Sequence, residues 1–302
     1  MRRRAHLAGI VLAGALLAAC GGGGGGVPST TGSTISGNAI DGPINGGTVA
    51  AYAISGGAKG AMLASATTDA SGHFALSLGS YGGGVMLQVS GGNYLDDATG
   101  AVTSMTSGTV MTAVLGSIGA GGTLSGIEVT PVTSMAQAYA LGMAGGMTDA
   151  NIAAANAALG SYFGISANGA GDIVRTVPIN PLVGGSGSGA TQGAINYGMV
   201  MAAMSQYAHA QGITNPSAMI TAYMSDAADG IMNGRAAGAQ LTMDGMTMGM
   251  GSGTAPMPAG AGTTGLASAM ASFLSSPQNQ SGVTAAQMQG LMSSLAASSG
   301  SL

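Results

Sequence analysis

The sequence predicts an α+β chain in which an N-terminal antiparallel β-sandwich is followed by a mainly α-helical C-terminal region. Three observations predict it. Strand-length apolar runs separated by Gly, Asp and Asn turn residues occupy residues 34–118. The apolar period then changes from two to 3.6 at Val129-Thr130-Pro131-Val132-Thr133. Gly/Ser/Thr-rich stretches mark the joints, which divides the chain into residues 1–19, 20–33, 34–118 and 127–302.

The first segment has the grammar of a secretory signal. Met1-Arg2-Arg3-Arg4 is a basic start, and Leu7 to Leu17 is apolar but too short to cross a ~30 Å hydrocarbon core as a permanent helix. Leu17-Ala18-Ala19-Cys20 resembles the lipobox of bacterial lipoprotein precursors, in which small residues admit the peptidase and the thiol accepts diacylglycerol. Cys20 is the only cysteine in the chain, so it fits an attachment point and leaves nothing to form an internal disulfide. The resemblance implies a palmitate-bearing lipoprotein held to a membrane through Cys20. Each buried methylene contributes ~0.8 kcal/mol, so several acyl chains anchor stably where one holds marginally. Gly21, in place of Asp, resembles the default sorting signal to the cell outer membrane. Six glycines and a Val-Pro-Ser-Thr stretch follow, a composition suited to a flexible tether over residues 20–33.

Six strand-length runs come next: 35–40, 48–53, 60–67, 73–78, 85–89 and 110–115. Thr68-Asp69-Ala70-Ser71-Gly72 is a turn, because Asp bonds its own backbone and Gly accepts positive φ. Their spacing favours an antiparallel sandwich. Ser36-Gly37, Asp41-Gly42-Pro43-Ile44, Gly46-Gly47-Thr48-Val49 and Tyr52 appear in order, followed by Thr68-Asp69, Gly72-His73-Phe74 and Leu87-Gln88-Val89. This series resembles the carboxypeptidase regulatory-like, or transthyretin-like (prealbumin-like), β-sandwich over 34–118. The resemblance implies a non-catalytic spacer, folding partner or binding platform, with no site residues to carry over.

Past the bridge Gly116 to Gly126, Pro131 or Thr133 begins the first helix. Thr148-Asp149 supplies the N-cap and first-turn acid of the second, in which Ile152, Ala155, Asn156, Leu159 and Phe163 form one stripe that stops at Gly164. Further helices are expected over 190–211, 216–229, 263–275 and 284–297, with Asn215-Pro216 as a cap and first-turn pair. The tract Gly184 to Gly189 and a long loop from Met243 to Gly262 suggest a loosely joined helical domain.

Charge excludes some functions. Beyond the signal only Lys59, Arg175 and Arg235 oppose ten acidic residues, which argues against nucleic acid and anionic lipid, both of which need clustered Lys and Arg. Two oxygen-rich places suit Ca²⁺: Asp96-Asp97 within the polar loop 91–100, and Asp226 with Asp229. The competing readings are an Asx-type turn and a solvated helix end. Met243, Met246, Met248, Met250 and Met257 resemble the Met-x-Met arrangements of extracytoplasmic copper proteins, and soft thioethers suit Cu(I). With 22 methionines in the chain, core filling explains such a cluster equally well. His73 and His209 have no nearby nucleophile motif, His209 instead suiting a helix C-terminus, and Gly185-Ser186-Gly187-Ser188-Gly189 places Gly where a nucleophile elbow needs Ser. Zinc lacks ligands, and no cofactor is indicated. The expected protein is a membrane-anchored envelope lipoprotein that is not an enzyme and has a structural or binding role, its partner an unknown protein or glycan. The alternatives are an envelope hydrolase with acids assembled by the fold, and a Cu(I) or Ca²⁺ binding protein.

Overall fold

The amino-terminal region is built by short-range turn chemistry and strand pairing. The computed structural model describes residues 32–165, 172–248 and 251–302, with the backbone alone for 244–248 and 251–252. Its first strands are β1 (Thr34–Ala39), β2 (Thr48–Ser55), β3 (Ala58–Thr67), β4 (His73–Ser77), β5 (Gly83–Ser90), β6 (Asn93–Leu95), β7 (Val102–Ser104), β8 (Val110–Ile118) and β9 (Thr123–Val129). The Asp69 carboxylate accepts from Ser71 N, Ser71 Oγ and His73 N, closing the turn that brings β4 antiparallel to β1. One sheet has the order β4-β1-β9 and a second the order β3-β2-β5-β8, while β6 and β7 form a small hairpin. Ile35, Gly37 and Ala39 of β1 are buried and alternate with partly exposed Thr34, Ser36 and Asn38, the period of two that a sheet with one covered face requires.

Residues 116–126 do not form a simple bridge. Thr123–Val129 is β9, parallel to β1 with Gly37 opposite Ile127. The chain passes from β9 directly into α1 (Pro131–Gly142), where Thr130 Oγ1 accepts from Thr133 N and Thr133 Oγ1 accepts from Thr130 N, a reciprocal capping box with Pro131 in the first turn. α2 (Asp149–Tyr162), α3 (Gln192–Ala210) and α4 (Ala218–Ala227) follow. Thr148 and Thr191 cap the first two of these through their hydroxyls. The expected cap pair Asn215-Pro216 lies two residues early: Ser217 is the N-cap, makes no side-chain capping bond, and donates its hydroxyl to Asn215 Oδ1.

The segment expected as a loop from Met243 to Gly262 carries strands among its described residues. After the short pair β10 (Arg235–Ala236) and β11 (Ala239–Gln240) come β12 (Thr242–Met248) and β13 (Gly251–Pro256), paired antiparallel. α5 (Thr264–Leu274) and α6 (Ala285–Ala297) complete the chain. The Gly/Ser tract is docked, because Gly185 N and Gly187 N donate to Gln280 O and Ser281 O and Ser186 Oγ donates to Asn180 O.

Sheet and helices share one apolar core. Val49, Leu87 and Ala113 from one sheet, Ile35 and Phe74 from the other, and Met135, Leu159, Tyr197 and Phe273 from the helices are all at most 1 % exposed in a single cluster. α1 is fixed on β8 by Thr133 and Ser134, whose hydroxyls both donate to Thr112 O. α3 is buried almost all round from Ile195 to Ala208, the mark of an interior helix. Many methionines are core filler: Met111, Met135, Met199, Met232, Met257, Met270 and Met288 are fully buried. Among the described residues no helix is long and apolar enough to cross a membrane.

Candidate functional site

An acid cluster lies where the β6–β7 hairpin meets α3. The turn after β1 is laid against β6 by paired backbone bonds between Asn45 and Asn93, which brings Asp41 up to Tyr94, Asp96 and Asp97. Asp96 Oδ1 accepts from Thr99 N at 2.8 Å and Thr99 Oγ1 at 2.9 Å, a local Asx-type turn. Its Oδ2 faces α3, accepting from Ser205 Oγ at 3.1 Å with His209 Nε2 at 3.3 Å. Ser205 and His209 are four residues apart on one helix face, which is why both reach the same carboxylate.

Asp97 differs from its neighbour. It is 4 % exposed, and no side-chain hydrogen bond joins it to any described residue; its Oδ1 is sealed from solvent without a partner. Burial, with the charges of Asp41 and Asp96 adding, holds the Asp97 carboxyl well above the usual range. Burial and Asp96 push Asp41 up to about 7. Burial, then Asp41 and Asp96, raise the Tyr94 hydroxyl, which lies near Ser217 without a hydrogen bond of good geometry. Asp97 also lines a recess of about 120 Å³ whose other walls include Ile40, Pro43, Pro178, Pro181 and Met201.

This wiring bears on catalysis. In a Ser-His-carboxylate relay the imidazole stands between the hydroxyl and the acid. Here both Ser205 and His209 converge on Asp96, and the Ser205 hydroxyl proton is committed to that carboxylate. The group in reach of the Ser205 proton is thus the Asp96 carboxylate itself, without an imidazole between them. Among the described residues no group of three or more His, Cys, Asp or Glu side chains is disposed to hold a metal ion.

A larger cleft of about 710 Å³ opens between the ends of β8 and β9, the outer face of α2 and the segment 172–175. Its apolar walls are Leu115, Ile118, Leu124, Ile152 and Val174. Its polar groups are few. Asp149 accepts from Ser117 N at 3.0 Å, Asp172 pairs with Arg175 at 3.2 Å, and Asn156 Oδ1 is sealed from solvent without a partner. Burial raises the Asp172 carboxyl against the lowering pull of Arg175.

The other residues singled out in the sequence fall elsewhere. Cys20 and Met250 lie outside the described residues, as do the side chains of Met246 and Met248. Met243 and Met257 sit in the apolar core at 1 % and 0 % exposure. Asp226 is fully buried rather than solvated: its Oδ1 accepts from Asn233 N, Gly234 N and Arg235 N, and Asp229 accepts from Ile231 N and Ala237 N. The pair thus clamps the connection from α4 into β10. His73 is exposed beside its turn. The sequence offers Asp41 only within the Asp41-Gly42-Pro43-Ile44 series of the sandwich resemblance and Tyr94 only within the polar loop 91–100, and it gives no sign of Ser205. Comparison of the chain with protein-family models and with curated proteins gives no match.

Proposed function

We propose that this is a non-enzymatic envelope lipoprotein, acylated at Cys20 and tethered through residues 20–33, whose folded part is a binding module presenting the 710 Å³ cleft. The observation that carries the anchor is the single cysteine of the chain, placed directly after Leu17-Ala18-Ala19. A mostly apolar concavity of this size with a few fixed polar groups is the usual form of a small-ligand site. The inward residues of the two sheets, Ile35 and Phe74 facing the same cluster as Val49 and Leu87, support a transthyretin-like sandwich as its scaffold. A hydrolase built on the acid cluster is the weaker reading. Two carboxyls that cleave a glycoside stand about 5 to 9.5 Å apart around a sugar, and a recess of about 120 Å³ is too small for one.

The test is metabolic labelling with an alkyne palmitate analogue, followed by envelope fractionation. The wild-type chain is expected to carry the label and partition with the outer membrane. Cys20→Ser is expected to lose the label and become soluble. Label retained in Cys20→Ser, or none in the wild type, would overturn the anchor.

A further inference from the structure

The Asp97 recess has a chemistry that neither the anchor nor the large cleft uses. Its walls include Ile40, Pro43, Pro178, Ile179, Pro181 and Met201, and its one ionisable group is Asp97. A carboxyl that is 4 % exposed with no hydrogen bond is costly unless something meets it. Asp41 and Asp96 stand close by, so the field in the recess favours a cation; the His209 imidazole lies against Asp96, not Asp97.

Which cation follows from the walls. Ca²⁺ takes six to eight oxygens at about 2.3 to 2.6 Å, and mostly apolar walls around one carboxylate do not supply them. A primary ammonium needs few acceptors and brings an aliphatic body that apolar walls accept. The recess is small, about 120 Å³, which suits a ligand of a few heavy atoms. We propose that this recess binds a small primary alkylammonium ion, with Asp97 as its anionic anchor and Pro43, Pro178, Pro181 and Met201 around its carbon chain.

Binding requires Asp97 as carboxylate, while burial and the neighbouring Asp41 and Asp96 favour its protonated form. Each ligand taken up therefore releases a proton to solvent, and affinity weakens as pH falls. Asp41, Asp96, Tyr94 and His209 face the same region.

The experiment is isothermal titration of the purified full chain with n-propylammonium chloride at pH 8, in two buffers of different ionisation enthalpy. A Kd of about 1 mM is expected, the scale open to four heavy atoms, with a buffer-dependent heat reporting proton release. Asp97→Asn, which removes no hydrogen bond, is expected to weaken binding at least tenfold. Ile40→Phe, which narrows the recess and leaves the acids in place, should do the same and keeps the test open if the first variant does not fold. n-Propanol should not bind. Absence of propylammonium heat at about 20 mM, equal binding of n-propanol, or Asp97-dependent binding of CaCl₂ in place of the amine would each overturn the proposal.

Discussion

At the scale of single residues, Asp226 shows how burial and hydrogen bonding compete. Three backbone N–H groups at 2.9, 2.6 and 3.2 Å stabilise its charge, yet burial outweighs them and the carboxyl is pushed up to about 6. Its worth lies in the donors it satisfies. Asp226→Ala leaves them unpaired and is expected to cost about 3 kcal/mol, read from the urea midpoint, whereas Asp226→Asn keeps an acceptor and should cost about 1 kcal/mol. Equal losses in the two variants would show that packing, not the clamp, is what the residue supplies. The sequence marked this Asp as a ligand or a solvated cap because nothing local reveals that residues 233–235 turn back onto it. Asp96 was legible for the opposite reason: its Thr99 partner is three positions away. Ser205 and Asp41 reach the same site from 109 and 55 positions off, and only the fold brings them there.

At the scale of elements, legibility follows the range of the interactions. α1, α2, α3 and α6 start at Thr caps whose partners lie three residues on, so the sequence places them closely. β9 and the β12–β13 hairpin read as loops in the sequence because glycine weakens the strand pattern, and strand formation there depends on pairing that composition does not encode. β9 shows the point. Its parallel partner β1 lies nearly 90 residues earlier, and the two approach so closely at Gly37 that a Cβ there would run into the Ile127 carbonyl. Backbone cannot yield as a side chain can. Gly37→Ala is therefore expected to cost about 3 kcal/mol in chemical denaturation, while neighbouring Ser36→Ala, on the uncovered face, stays within about 0.5 kcal/mol. Similar losses for both would mean that strand propensity, not the close approach, sets the cost.

At the scale of the whole molecule, the balance between few cations and many buried acids sets the response to pH. Asp41 moves from 3.8 to about 7, Glu128 from 4.5 to about 7, and Asp226 from 3.8 to about 6, each chiefly through burial. Glu128 illustrates the cause: it is 0 % exposed, Asn38 reaches one of its oxygens at 2.9 Å, and the other has no partner. All three values are raised in the folded state, so between about pH 4 and 7 the native chain holds protons that the unfolded chain has released. Stability from these groups is complete below their ordinary values and is lost as pH rises through the raised ones. One pH unit of displacement corresponds to about 1.4 kcal/mol, so a fall of several kcal/mol from pH 4.5 to pH 8 is expected. Urea unfolding at those two pH values measures it, and a midpoint as high at pH 8 as at pH 4.5 would contradict it. Asp41→Asn and Glu128→Gln remove the titrating groups while keeping their shape, and together they should flatten the dependence, which ties the effect to these acids rather than to the net negative charge of the chain.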